Sequence, residues 1–152
     1  MKPFLFDSGV FLAARDRDDP FHQPSRDLIA ATVDVGRPRF ALDLTLLEVV
    51  NVATVRWKSA AEATRLEGLV VAVAERIARV EVDYAIGQVA QLATQESISV
   101  YDAAYALCAR RHGWELVSTD VRDLVSRGLA LDPSAAGAVA GPADEGPDAG
   151  EA

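Results

Sequence analysis

Cysteine is nearly absent from this sequence. Cys108 is the single one in 152 residues, so no internal disulfide is available. Histidine is almost as scarce, and His22 and His112 stand far apart with no Cys/His grouping of zinc-ligand spacing around them. Long hydrophobic runs are missing too. The run at residues 69–74 lies between Glu67 and Glu75, far short of the ~20 apolar residues a bilayer-spanning helix needs. The opening Met1-Lys2-Pro3-Phe4-Leu5-Phe6-Asp7 turns polar too early for a signal peptide. These absences exclude a disulfide scaffold, a structural zinc module and a membrane span, and make the reducing cytoplasm the expected location.

Basic residues are in the minority, with 15 Lys and Arg against 23 Asp and Glu, a formal net charge of −8. Such a balance argues weakly against a nucleic-acid partner, but it is unevenly placed. Asp144, Glu145, Asp148 and Glu151 lie beyond Asp132, in a stretch with no Lys or Arg, and supply half of the net charge. Residues 133–152 are mostly Ala, Gly and Pro, with Val139 as the only large aliphatic side chain. A segment of that composition buries too little surface to offset its ordering entropy. Two regions are therefore expected: one domain over 1–132 and a disordered acidic tail over 133–152, whose removal should leave folding unchanged. Half of the chain is apolar, enough for one domain of this size to bury a normal core.

Within 1–132, short apolar runs alternate with segments of helical period. The pattern predicts strands at 4–6, 39–42, 80–82 and 114–118, and a last edge strand at 128–131. Helices are predicted at 8–14, 22–35, 45–57, 60–79, 83–94 and 100–112. The helix over 60–79 carries Leu66, Leu69, Val70, Val73 and Ile77 on one stripe. Gly113 reads as a helix stop. Strands joined by helical crossovers imply an α/β fold, a mainly parallel sheet between two helical layers.

In an open parallel sheet, ligands bind beyond the carboxyl ends of the strands. Asp7 directly follows the first strand, and Asp120 follows Leu116-Val117-Ser118-Thr119. Glu48 and Asp102 fall in the first turns of predicted helices, in Thr45-x-x-Glu48 and Ser99-x-x-Asp102. Each acid has a plain structural explanation: Asp7 and Asp120 as helix N-caps, and the other two as the acid of a capping box. Crowded at one rim, the same four would repel one another unless a hard cation such as Mg²⁺ or Mn²⁺ held them.

Four segments then carry a family resemblance: Phe6-Asp7-Ser8, Glu48-x-x-Asn51, Tyr101-Asp102-Ala103-x-Tyr105-Ala106, and Leu116-Val117-Ser118-Thr119-Asp120-x-x-Asp123-Leu124. In order and type they resemble the successive acidic motifs of PIN-domain ribonucleases, in particular the VapC-type toxins of toxin–antitoxin pairs. The likeness runs from residue 1 to about residue 131. It implies a three-layer PIN-like fold in which Asp7, Glu48, Asp102 and Asp120 are the catalytic and metal-binding residues for Mg²⁺ or Mn²⁺. It further implies endonucleolytic cleavage of RNA, a cognate antitoxin and a homodimer. Ser8, Asn51, Ser118 and Asp123 are expected to support the acids from behind. Asn51 lies one helical turn from Glu48 and Asp123 one turn from Asp120, though a local amide contact explains Asn51 equally and a solvated helix charge is the plainer explanation of Asp123. The family more often has Thr where Ser118 stands, and a hydroxyl where Gly9 stands, so a contact near Asp7 is expected to be missing.

Other side chains are assigned blander duties. Asp43 is read as a turn acid, Tyr105 and Cys108 as core, and Trp57 and Trp114 as packing residues. The close basic pairs Arg15/Arg17, Arg37/Arg39, Arg56/Lys58 and Arg110/Arg111 are read as solvated charge rather than phosphate contacts. The alternatives are a PIN-fold binding module without catalysis, or another Mg-dependent phosphoryl-transfer domain. The latter is disfavoured: a haloacid-dehalogenase-like site needs a second Asp where Gly9 stands, and a receiver site needs an acidic pair where Asp7 is followed by Ser8.

Overall fold

The computed structural model describes residues 1–82 and 84–141. Its elements run β1 (Phe4–Phe6), α1 (Ser8–Arg15), α2 (His22–Asp34), β2 (Arg39–Leu42), α3 (Asp43–Val55), α4 (Ala60–Val73), β3 (Arg76–Ala78), α5 (Ile86–Glu96), α6 (Val100–His112), β4 (Glu115–Val117), a π-helical turn (Val121–Val125) and α7 (Pro133–Ala138). The four strands form one all-parallel sheet in the order β3-β2-β1-β4. The predicted α/β architecture is therefore the one present.

The period of two along each strand sends alternate side chains to opposite faces. Leu5, Leu42 and Leu116 join one core, packed under α5 and α6 with Val89, Leu92 and Trp114. Phe4, Phe6, Ala41 and Val117 join the other, beneath α1 to α4 with Phe11, Leu28, Leu66 and Val70. The sheet thus lies between two helical layers. Helix α6 is buried from Ala103 through Ala109; four alanines in that run let it lie close to its neighbours. It stops at Gly113, whose positive φ of 68° and N–H bond to the Ala109 carbonyl form a left-handed C-cap.

The chain steps outward from β1 to β2 to β3, then crosses back to place β4 on the other side of β1. The topological switch point, where such sheets open a crevice at their carboxyl rim, therefore lies between β1 and β4. The Asp7 N–H donates to the Val117 carbonyl there, at 3.1 Å.

Three expectations are corrected. The third strand is Arg76–Ala78 rather than 80–82: α4 ends at Val73 because Ala74 turns extended, so Ile77 belongs to the sheet and not to a helical stripe. Val80 and Val82 stay exposed beside Glu81, which has a φ of 62°. The edge strand at 128–131 reduces to a single bridge between Val117 and Leu131. The tail is not disordered from residue 133. Asp132 caps α7 by accepting from the Ala135 N–H at 2.9 Å, and Pro133, Ala136 and Ala140 are buried, with α7 packed on α2. Small side chains suffice there because α7 needs only to close a seam over Leu28 and Phe4 in a core already built. Of the other expectations, Asp83, placed at the start of a helix that in fact begins at Ile86, and residues 142–152 lie outside the described residues.

Candidate metal centre

Asp7 closes β1 and caps α1. Its Oδ1 accepts from the Val10 N–H at 3.2 Å, and its Oδ2 accepts a short hydrogen bond from the Ser118 hydroxyl. Ser118 in turn accepts from the Asp120 N–H at 2.9 Å. With its one proton committed to Asp7 and a lone pair to Asp120, this buried hydroxyl ties the end of β1 to the segment after β4. Asp120 then caps the π-helical turn, its Oδ1 accepting from the Asp123 N–H at 2.9 Å.

Asp102 approaches from the N-terminus of α6. Ser99 is the N-cap, accepting from the Asp102 N–H at 3.0 Å, and its hydroxyl also bonds the Asp102 carboxylate. The capping pattern at Ser99 is therefore real. At Thr45 it is not: α3 begins at Asp43, so Thr45 lies inside the helix, where its hydroxyl accepts from the Leu42 N–H at 3.2 Å, and Glu48 lies in the second turn. Released from capping, Glu48 accepts from the Tyr105 hydroxyl at 2.7 Å and from the Ser8 hydroxyl.

Carboxylate oxygens of Asp102, Asp120 and Asp123 all lie within 4.8 Å of one another. Asp7 feels the charges of Glu48 and Asp102, and Glu48 that of Asp102. Of the four predicted acids, Asp102 and Asp120 converge with Asp123, whereas Asp7 adjoins them through the Ser118 hydroxyl and Glu48 stands beside them on α3, outside that close group. Burial pushes the Asp7 carboxyl up from 3.8 to about 7, against the opposing bonds from Ser118 and Val10 and with the two neighbouring charges adding to it. Burial also raises Glu48, more than the Tyr105 and Ser8 bonds lower it. It raises Asp102 as well, where the charges of Asp120 and Asp123 add to the effect. Partly buried carboxylates this close favour losing charge or gaining a cation. A set made only of carboxylate and hydroxyl oxygens suits a hard divalent ion rather than a soft one.

Asn51 lines a groove of about 660 Å³ beside Glu48, with Leu47, Thr54 and the exposed Tyr101. Asp43, expected as a turn acid, instead opens α3, accepting from the Tyr84 hydroxyl at 2.7 Å and the Val80 N–H at 3.1 Å. Arg37 and Arg39, read as solvated charge, are buried instead. Arg37 stacks over Phe4 at 3.6 Å, and Arg39 donates to the carbonyls of Val73, Thr32 and Arg37. They mark the amino-terminal rim, opposite the acids.

Two contacts escaped the sequence reading. Tyr105 is core, as expected, but it is also the partner of Glu48; its position one turn after Asp102 was the available signal. Its hydroxyl is pushed well above its ordinary pKa, chiefly by burial, so it stays a donor. Thr119 is the second. A Cβ at Gly9 would sit 2.0 Å from the Thr119 Oγ1 and 3.2 Å from the Asp7 Oδ1. The threonine hydroxyl thus occupies the notch that the absent side chain of residue 9 leaves next to Asp7.

The PIN domain family model matches residues 4–126. This chain belongs to the PIN domain family. Among solved structures, PAE2754 from Pyrobaculum aerophilum is similar with a TM-score of 0.65 and 21% identity over 91% of this chain and 89% of that one. A toxin–antitoxin complex from Klebsiella pneumoniae gives 0.61 and 17%, over 85% of this chain and 96% of the other. DNA-bound VapBC from Salmonella typhimurium gives 0.62 and 19%, over 87% and 97%. Curated proteins supply no sequence match. At these identities the likeness establishes a shared fold.

Proposed function

We propose that this PIN domain is a metal-dependent endoribonuclease and the toxin of a toxin–antitoxin pair. The observation that supports the reading is the close approach of Asp102, Asp120 and Asp123, with oxygens within 4.8 Å, beside Asp7, which Ser118 ties to the Asp120 backbone and whose carboxyl is raised to about 7. Asp7, Glu48, Asp102 and Asp120 would hold Mg²⁺ or Mn²⁺. Such an ion activates water and neutralises the charge that develops as a phosphodiester P–O bond breaks. Ser118 fixes the Asp7 carboxylate and the Asp120 backbone at once, Ser8 and Tyr105 orient Glu48, and Asp123 adds acceptor capacity on the open side. Asn51 lies where a nucleotide following the groove past Glu48 would meet its amide.

Family membership supports nuclease chemistry, and the two solved complexes support a cognate antitoxin as partner. Homodimerisation and a cytoplasmic location accompany the toxin reading; among the described residues no helix is long and apolar enough to cross a membrane. The test is incubation of the purified chain with single-stranded RNA and MgCl₂ or MnCl₂, with a chelated control. Internal cuts that need the metal are expected, as is relief of growth arrest when the neighbouring antitoxin gene is co-expressed. A well-folded chain that leaves RNA intact at millimolar Mn²⁺ would defeat the proposal.

A further inference from the structure

Glu48 is the one glutamate of the cluster: Asp7 and Asp120 are held as caps, and Asp102 and Asp123 stand in the first turns that Ser99 and Asp120 cap. Glu48 reaches the site from the second turn of α3 on a side chain with three torsions, so something must hold it. Its Oε1 accepts from the Tyr105 hydroxyl at 2.7 Å, and that hydroxyl lies 2.7 Å from the Thr45 Oγ1, which accepts from the Leu42 N–H at 3.2 Å. The proton order follows from the donor inventory. An ionised Glu48 only accepts, so the tyrosine proton goes to it. The tyrosine oxygen is then free to accept the threonine proton, and the threonine oxygen takes the backbone N–H. Every link runs towards Glu48 and starts from the buried end of β2. Tyr105 and Thr45 are 2% and 0% exposed, so water does not compete for these bonds.

We infer that Tyr105, backed by Thr45, is a positioning residue that fixes the Glu48 carboxylate for divalent-metal binding, a role beyond its packing in the core. The inference rests on the metal-dependent nuclease reading. Groups that orient a metal ligand typically contribute about 10- to 100-fold in affinity or activity. A purely structural tyrosine would affect melting alone.

The test combines calorimetric Mn²⁺ titration with RNA cleavage kinetics on the full chain and on Tyr105→Phe, Thr45→Val and Thr45→Ser, each checked for folding by circular dichroism. Tyr105→Phe is expected to weaken Mn²⁺ binding at least about 10-fold and to lower kcat with little change in KM for RNA. Thr45→Val, equal in shape but without the hydroxyl, should move in the same direction, and Thr45→Ser should recover what valine loses. Parental Mn²⁺ affinity and kcat in folded Tyr105→Phe would overturn the inference while leaving the nuclease reading intact. If the phenylalanine variant does not fold, equal Mn²⁺ binding by Thr45→Val and Thr45→Ser overturns it instead. A parent chain that binds no Mn²⁺ brings down both.

Discussion

Asp7 performs two duties with one carboxyl, capping α1 through Oδ1 and holding the Ser118 hydroxyl through Oδ2. The structural and chemical explanations of such an acid are therefore not rivals. Its raised pKa has a consequence for the metal-free protein. Asp7 holds its proton more tightly when folded than when unfolded, and Glu48 and Asp102 shift in the same direction. The stability tied to these groups is therefore complete below the ordinary value of 3.8 and is lost as pH rises to about 7. Calorimetric melting without metal is expected to show Tm falling across that window, with a smaller slope in Asp7→Asn. A flat profile would refute the burial argument. Asp102→Asn gives a second contrast: the Ser99 cap uses the backbone N–H of residue 102, so the fold should lose no more than about 1 kcal/mol, while Mg²⁺-dependent cleavage should vanish. At Gly9, substitution by Ala places a Cβ 2.0 Å from the Thr119 hydroxyl, an overpacking expected to cost about 1–3 kcal/mol in chemical denaturation. Adding Thr119→Ala should recover most of that; additive losses would show that the two sites are uncoupled.

Which parts of the site were legible in the sequence depended on the kind of signal each residue carries. Asp7 and Asp120 could be read because the end of a hydrophobic strand is visible in sequence, and Asp102 because Ser99 precedes it at capping distance. Glu48 was found for the wrong local reason, since α3 starts two residues before Thr45, which reaches back to the Leu42 N–H from the third helical position and forms no box with Glu48. The Tyr105 and Thr119 contacts were hidden because they join residues remote in sequence, and a helical period identifies a face without naming its partner. At the scale of elements the same limit applies to β3, whose three residues are too few to display a period of two. It applies again to α7, whose Ala, Gly and Pro content matches a disordered tail but which is held by the Asp132 cap and by Arg37, which donates to the Val139 carbonyl. Deleting residues 133–152 is accordingly expected to lower Tm, on the order of 5 °C, by uncovering Leu28 and leaving buried Arg37 short of an acceptor. Deleting only 142–152, which contain no large apolar residue, should leave Tm unchanged. Equal melting of the two truncations would remove α7 from the stable fold.

Across the whole molecule, charge and topology are coupled. A chain of net charge −8 concentrates five acids at the carboxyl rim of β1 and β4, while Arg37 and Arg39 are buried at the opposite rim. A phosphate backbone would be repelled from that carboxyl rim until cations neutralised it. Metal binding is thus the step on which the functional account turns. The most direct test is calorimetric titration of Mn²⁺ into the full chain and into Asp102→Asn at pH 7.5, in two buffers of different ionisation enthalpy. Saturable binding by the parent with release of protons, because the raised carboxyls must ionise to bind, and loss of that isotherm in the variant are the expected results. An identical isotherm in both proteins, or none in the parent, would contradict the assignment of these acids as a metal centre.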